Sequence, residues 1–216
     1  MKTVALIFLL LVFPVFATQV ATDNFNRADA NSLGANWTLS PNNHNLRIVS
    51  NAVEANDDPG LMAYNARTAD QDGEVGLTLV TLAVSSGQGM GPARRVSIAA
   101  NTGYFVLGQA ARLELYKVTS DSYSLLATYT GTILTTDIIS LRATGTSTTV
   151  LKVYENSVER ISYSDNSSPI TSGSDGMFGS IDGAVHPTGD NWYIDDLAGG
   201  GGSTAAGRSL LLGVGK

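Results

Sequence analysis

From residue 74 to residue 163 apolar and polar side chains alternate with a period of two, and no window of helical length carries an apolar stripe. A chain patterned this way can hide one side of each extended segment while the other stays wet, which stacked antiparallel sheets satisfy. The β-branched run 74–82 predicts a long strand, with others at 104–107, 113–118, 123–129, 138–143, 150–154 and 158–163. Earlier strands are expected at 46–54 and 61–64 and later ones at 176–180 and 192–197, about eleven to thirteen in all. Ser120-Asp121-Ser122 and Glu155-Asn156-Ser157 read as polar turns that close two hairpins. Ile139, Leu141, Leu151, Val153, Ile161 and Tyr163 should then face a core, with Ser140, Arg142, Lys152, Tyr154 and Arg160 facing away from it. No unit of fixed length recurs. The expected class is all-β: one antiparallel sandwich or barrel.

Composition narrows the chemistry. Charged residues make up 15% of the 216, well under the roughly 25% usual for soluble chains. The net charge of −6 excludes the basic footprint that a nucleic-acid partner requires. There is no cysteine, so disulfides, zinc–thiolate sites and thiol nucleophiles are excluded, and His44 and His186 are too few for a multi-histidine metal site.

The two ends read as separate pieces. Lys2 precedes a 13-residue apolar run, 4–16, and Val15-Phe16-Ala17 resembles a small-residue cleavage site. Such a run is short for a bilayer span, which takes about 20 residues, and fits a signal peptide over 1–17, with an uncleaved anchor or a buried strand as the alternatives. Secretion with Thr18 as the mature start, and no membrane span after cleavage, is the expectation. At the other end, 199–202 is four glycines in a row, and 199–216 reads as a Gly-rich linker with a short apolar tail at Leu210-Leu211-Leu212. That tail could dock onto a protein partner, or simply fray. The folded domain is expected over 18–198. Its part from residue 22 carries 10 basic against 19 acidic residues, a balance of −9.

Several segments share a likeness. Asp23-Asn24-Phe25-Asn26-Arg27, Leu33-Gly34-Ala35-Asn36-Trp37, Gly91-Pro92-Ala93-Arg94-Arg95-Val96-Ser97, Gly103-Tyr104-Phe105-Val106-Leu107 and Leu113-Glu114-Leu115-Tyr116-Lys117-Val118 come in order. The hairpin Leu151-Lys152-Val153-Tyr154-Glu155-Asn156-Ser157-Val158 and the closing Asp190-Asn191-Trp192-Tyr193-Ile194-Asp195-Asp196-Leu197 complete the set. Together they resemble concanavalin A-like lectin/glucanase sandwiches of the laminin-G-like kind, and the resemblance implies a jelly roll. Ser157 stands where that family's hairpin has Gly. The fold hosts lectins, glycanases, adhesion modules and inert spacers, so it does not by itself name a function.

Glucanases of that resemblance carry alternating acids on one strand, which set two carboxylates on one face. Asp70-Gln71-Asp72-Gly73-Glu74 has the spacing, but its first acid is Asp and Asp-Gly marks a turn rather than a strand interior. No Gly-x-Ser-x-Gly elbow accompanies His186, and Gly87-Gln88-Gly89-Met90-Gly91 lacks the Lys-Ser/Thr of a phosphate loop. The expectation is a secreted, non-catalytic module that binds a glycan or cell-surface polysaccharide. The alternatives are a structural, adhesion or virion-appendage module attached through its tail and, third, a glycoside hydrolase. Sugar recognition needs an aromatic platform and planar polar groups. Arg142, Lys152, Tyr154 and Arg160 are the candidates on the outward face, and Tyr104 with Arg94 elsewhere. Trp37 and Trp192 read as structural anchors of the chain ends. The resemblance further implies first and last strands side by side, with a structural Ca²⁺ at the seam held by Asp23 and Asp196. In the alternative, Asp23 caps a turn while the other acids are solvated.

Overall fold

The computed structural model describes residues 18–39, 46–56, 60–64 and 72–196. The expected signal peptide and the Gly-rich tail lie outside the described residues. In chain order the strands are β1 (Thr18–Asp23), β2 (Trp37–Leu39), β3 (Leu46–Val49), β4 (Ala52–Ala55) and β5 (Gly60–Tyr64). Next come β6 (Gly73–Thr81), β7 (Gly89–Ser97), β8 (Thr102–Gln109), β9 (Arg112–Thr119) and β10 (Ser122–Thr130). The last five are β11 (Ile138–Thr144), β12 (Thr149–Glu155), β13 (Val158–Asp165), β14 (Ser174–Ser180) and β15 (Thr188–Asp196). They form two antiparallel sheets. The first, of eight strands, runs β13-β12-β11-β6-β15-β4-β3, with β1 also paired to β15; the second, of seven, runs β10-β9-β8-β7-β14-β5-β2.

Alternation sorts the side chains as the sequence requires. Ile139, Leu141, Leu151, Val153 and Ile161 are buried against Tyr104, Val106, Leu113 and Leu115 of the opposite sheet, with Tyr163 partly buried beside them. A second interior cluster joins Val53, Val75, Leu77 and Trp192 to Trp37, Met90 and Met177. Trp37 and Trp192 meet edge to face with centroids 4.7 Å apart, which ties the two ends of the domain together through the core.

The expected strand at 46–54 is two strands. Ser50 and Asn51 both take positive φ (51° and 62°), the signature of a two-residue hairpin turn, and the chain reverses there. The same turn joins β9 to β10 through Ser120-Asp121 and β12 to β13 through Asn156-Ser157. Gly89–Ser97, which lies between the expected strands at 74–82 and 104–107, is a nine-residue strand between β8 and β14. Arg94 on it faces the interior and forms a buried ion pair with Asp175. Arg95 sits at a bulge with φ 55° and donates to Thr149 Oγ1, the carbonyls of Gly145 and Ile170, and Asp72.

Candidate functional site

Cross-strand register brings part of the expected site together. Arg142 pairs with Lys152 across β11 and β12 and with Glu74 across β11 and β6, and Tyr154 lies one pleat away on the same outer face of the eight-stranded sheet. The Arg142 guanidinium lies 5.0 Å from the Tyr154 ring centroid and donates to Glu74 Oε2 at 2.7 Å. Lys152 is bonded to Glu159 at 2.8 Å. Each cation of the patch therefore already has a carboxylate.

Arg160 is not part of this patch. A bulge shifts the β12–β13 register between Val153 and Tyr154, so Tyr154 pairs with Glu159 and Arg160 becomes the extra residue. Its Nε donates to Glu155 at 2.8 Å and its guanidinium covers Tyr129 of β10 at 5.0 Å, at the side where the two sheets approach. Tyr104 and Arg94 correct a second expectation. Both are fully buried between the sheets, where neither can meet a sugar. The Tyr104 hydroxyl donates to Asp165 at 2.6 Å, and burial together with that carboxylate raises its pKa far above the ordinary value.

The acids near β6 are also engaged. Asp70 lies outside the described residues. Asp72 accepts from the Gly145 amide at 2.8 Å and lies 3.3 Å from Arg95, while Glu74 serves Arg142 and, at 3.3 Å, the Tyr193 hydroxyl. His186 packs its Nδ1 at 2.8 Å from the Ala55 carbonyl.

The seam of first and last strands exists, but it separates the two expected calcium ligands. Asp23 pairs with Trp192 at one end of the β1–β15 ladder and Asp196 with Thr18 at the other, about 13 Å apart by strand rise. Asp23 Oδ1 accepts from the Phe25 amide and Arg27, and Oδ2 from Arg27 and Trp37 Nε1. That is the turn-capping arrangement, and it does not fit a shared ion. Among the described residues no group of three or more His, Asp or Glu is placed to hold a metal.

A second face went unread in the sequence. On the outer side of the seven-stranded sheet, Ala93, Val96, Phe105, Leu107, Val118 and Phe178 form an apolar cluster that belongs to neither interior. Phe105 on β8 and Phe178 on β14 are two strands apart, roughly 10 Å, yet their rings stack with centroids 3.9 Å apart. They can lean together because the β7 residues between them are Ala93 and Gly91. Tyr116 stacks on the far side of Phe105 at 5.3 Å, and Tyr123 meets both phenylalanines edge on at 6.0 and 5.7 Å. The stack emerges at β10, where Tyr123 is 37% and Leu125 51% exposed. Glu114 borders it and accepts from Ser86 Oγ, the Gly87 amide, Gln109 and the Tyr116 hydroxyl at 2.6–3.0 Å. Burial pushes its pKa up, but these four donors outweigh burial and hold it below the ordinary value; burial and the Glu114 charge push Tyr116 up to about 12. The signal was present: Tyr104-Phe105-Val106-Leu107 is apolar on both faces, which a strand wetted on one side does not need.

No family model and no curated protein matches the chain. Solved structures do. The carbohydrate-binding module CBM66 from Bacillus subtilis aligns with a TM-score of 0.52 at 15% identity, covering 84% of this chain and 98% of that one. Xylan β-1,4-xylosidase from Bacillus halodurans C-125 aligns at 0.50 and 13%, over 86% of this chain and 41% of the xylosidase. At such identities the likeness is one of fold, and the fold is the concanavalin A-like jelly roll.

Proposed function

We propose that the protein is a secreted, non-catalytic carbohydrate-binding module whose glycan lies across the outer face of the seven-stranded sheet. The observation that carries the reading is the ring stack ending in Tyr116 and Tyr123, an aromatic surface the sandwich does not use between its layers. A pyranose needs an apolar ring face for its C–H side and planar or hydroxyl groups for its rim. Tyr116 and Tyr123 supply the first. The half-exposed Arg112 guanidinium and the exposed Thr128 hydroxyl, beside Glu114 on the same face, supply the second. The likeness to a carbohydrate-binding module agrees with it.

Hydrolysis is disfavoured by the same geometry. A glycosidase needs two carboxyl groups, one of them protonated near neutrality. Glu114 is the one carboxylate among the described outer-face residues of β7, β8, β9, β10 and β14, and its donors keep it ionised. Calcium has no part in the reading. The opposite face, with Arg142, Lys152 and Tyr154, is the weaker candidate, because a guanidinium already covers one side of the Tyr154 ring. Attachment through the tail at 199–216 is compatible with either face.

Binding of the secreted chain to immobilised polysaccharides, laminarin and xylan included, is the test. Tyr123→Ala should weaken the best binding at least tenfold, about 1.4 kcal/mol, in a chain that circular dichroism shows is still folded, and no reducing ends should appear. Loss with Tyr154→Ala instead would move the site to the other sheet. Steady hydrolysis, or no glycan bound at all, would reject the reading.

A further inference from the structure

At the β3 edge of the eight-stranded sheet a cavity of about 400 Å³ opens between two short walls, Asp29, Ala30 and Asn31 on one side and Arg47, Ile48 and Val49 on the other. Ala30 and Ile48 exchange both backbone hydrogen bonds, at 3.0 and 2.8 Å, which fixes the spacing of the walls. Asp29 and Asn31 flank that bridge, across from Val49 and Arg47. Ile48 is buried in the core, so alternation turns Arg47 and Val49 to the outer side of the sheet. Each charged group is held in place by the protein. Asp29 Oδ1 accepts from the Ser50 amide at 2.8 Å, and Arg47 donates through both Nε and Nη2 to one oxygen, Oε1, of the buried Glu54. Asp29 and Arg47 border one cavity, yet among the described residues Arg47 forms its ion pair with Glu54 and Asp29 forms none. That leaves Asp29 Oδ2 as an acceptor and Arg47 Nη1 as a donor at the borders of the same space.

We propose that this cavity is a second saccharide site, which takes a neutral sugar by its hydroxyl edge. A vicinal diol meets both groups at once: one hydroxyl donates to Asp29 Oδ2 while its neighbour accepts from Arg47 Nη1, and Val49 with Ala30 offers apolar surface to the C–H groups. The volume falls within the range of about 300–1,000 Å³ for small-ligand sites. The bonds to Ser50 and Glu54 hold the two recognising groups still before a ligand arrives, which lowers the cost of binding. Charge selects among ligands of this size. One guanidinium stands against two carboxylates, Asp29 and Glu54, so a phosphate or an acidic sugar would meet repulsion in a domain that is itself acidic. None of the lining residues is aromatic, so recognition runs through hydroxyls and not through stacking as at Tyr116 and Tyr123. The site also lies elsewhere. β3 approaches β5, four strands from β9 in the other sheet, which puts the cavity about 20 Å or more from the ring stack. The inference therefore does not rest on the aromatic face.

Amide chemical shifts of the isotope-labelled secreted chain, followed while free glucose, galactose, mannose, xylose and fructose are added in turn over the millimolar range, test it. At least one of these sugars should move the signals of residues 29–31 and 47–50 in a saturable way. Asp29→Asn keeps the shape of the side chain and removes its charge, and should weaken that sugar at least tenfold. Val49→Phe fills the cavity from its floor without touching Asp29, Arg47 or Glu54, and should abolish the shifts. Circular dichroism melts establish that both variants are folded. Inorganic phosphate and glucuronate should bind at least tenfold more weakly than the best neutral sugar. The proposal is overturned if no sugar moves these signals, if both variants bind as the wild type does, or if an anion binds better than every neutral sugar. Shifts confined to β9 and β10 would overturn it while leaving the aromatic face its glycan. Polysaccharide binding that fails at Tyr123, with the shifts at 29–31 and 47–50 intact, would remove the aromatic site and support this one.

Discussion

Asp23 ties three parts of the chain's beginning to one carboxylate: the turn at Phe25, the Arg27 side chain and the indole of Trp37. Burial would raise its pKa, but the bonds from Arg27, Trp37 and the Phe25 amide outweigh burial and hold it below 3.8. Phe25 itself is fully buried at φ 50°, so the chain reverses into the core at this point and needs the carboxylate to hold the reversal. Asp23→Ala should cost about 2 kcal/mol, seen as a melting point roughly 4–8 °C lower. Saturating Ca²⁺ should leave the wild-type midpoint where it is, since an ion a hundredfold above its dissociation constant would add about 2.7 kcal/mol. A calcium-dependent rise would return the seam to a metal.

At the scale of the element, three hairpins use the same two-residue turn with three residue pairs. Ser50-Asn51, Ser120-Asp121 and Asn156-Ser157 each place two consecutive residues at positive φ, where a side chain is strained and glycine is not. Asn156 is anchored by its side chain, which accepts from the Ile138 amide and donates to Asp137. Ser157, at φ 71° and exposed, has no such compensation in its backbone geometry. Ser157→Gly should therefore stabilise the domain by about 0.5–1 kcal/mol, measured as a higher urea midpoint at an unchanged slope. No gain would mean that the Ser157 side chain supports the turn. The hairpins were legible because polar pairs interrupt alternating runs. Strand β7 was not, because Gly89, Gly91, Pro92, Arg94 and Arg95 carry little preference for extended structure. It forms because β8 and β14 on either side offer it pairing, and because two stacked rings above it leave room for small residues only.

For the whole molecule, stability follows how the carboxylates are held. Asp23, Glu114 and Asp165 are all stabilised as anions, their hydrogen-bond donors outweighing burial. The unfolded chain takes up protons there first, so this stabilisation is complete above ordinary values of 3.8 to 4.5 and is lost as the pH falls through the folded values. Glu155 acts in the opposite sense: burial raises its pKa, Arg160 pulls it back, and the facing Asp137 raises it again. The folded chain holds that proton longer, so stability falls as pH rises from 4.5 through the folded value. Urea midpoints between about pH 3 and 8 should pass through a maximum, and Glu155→Gln should flatten the upper limb while leaving the acid limb intact. An unaltered upper limb would show that Glu155 is not its source. The period-two pattern by itself determined the all-β class, most of the strands and the inward side of β11 and β12, because alternation encodes which side of a strand is dry. It also placed Arg142, Lys152 and Tyr154 on one face. Sequence alone could not place Arg160, which one bulged residue turns to the edge, or Asp23 and Asp196, which antiparallel register holds at opposite ends of a ladder. Nor could it assemble Phe105, Tyr116, Tyr123 and Phe178, which come from four strands. Local pattern records whether a side chain is covered, whereas strand order and register, set by packing between distant segments, decide what it meets.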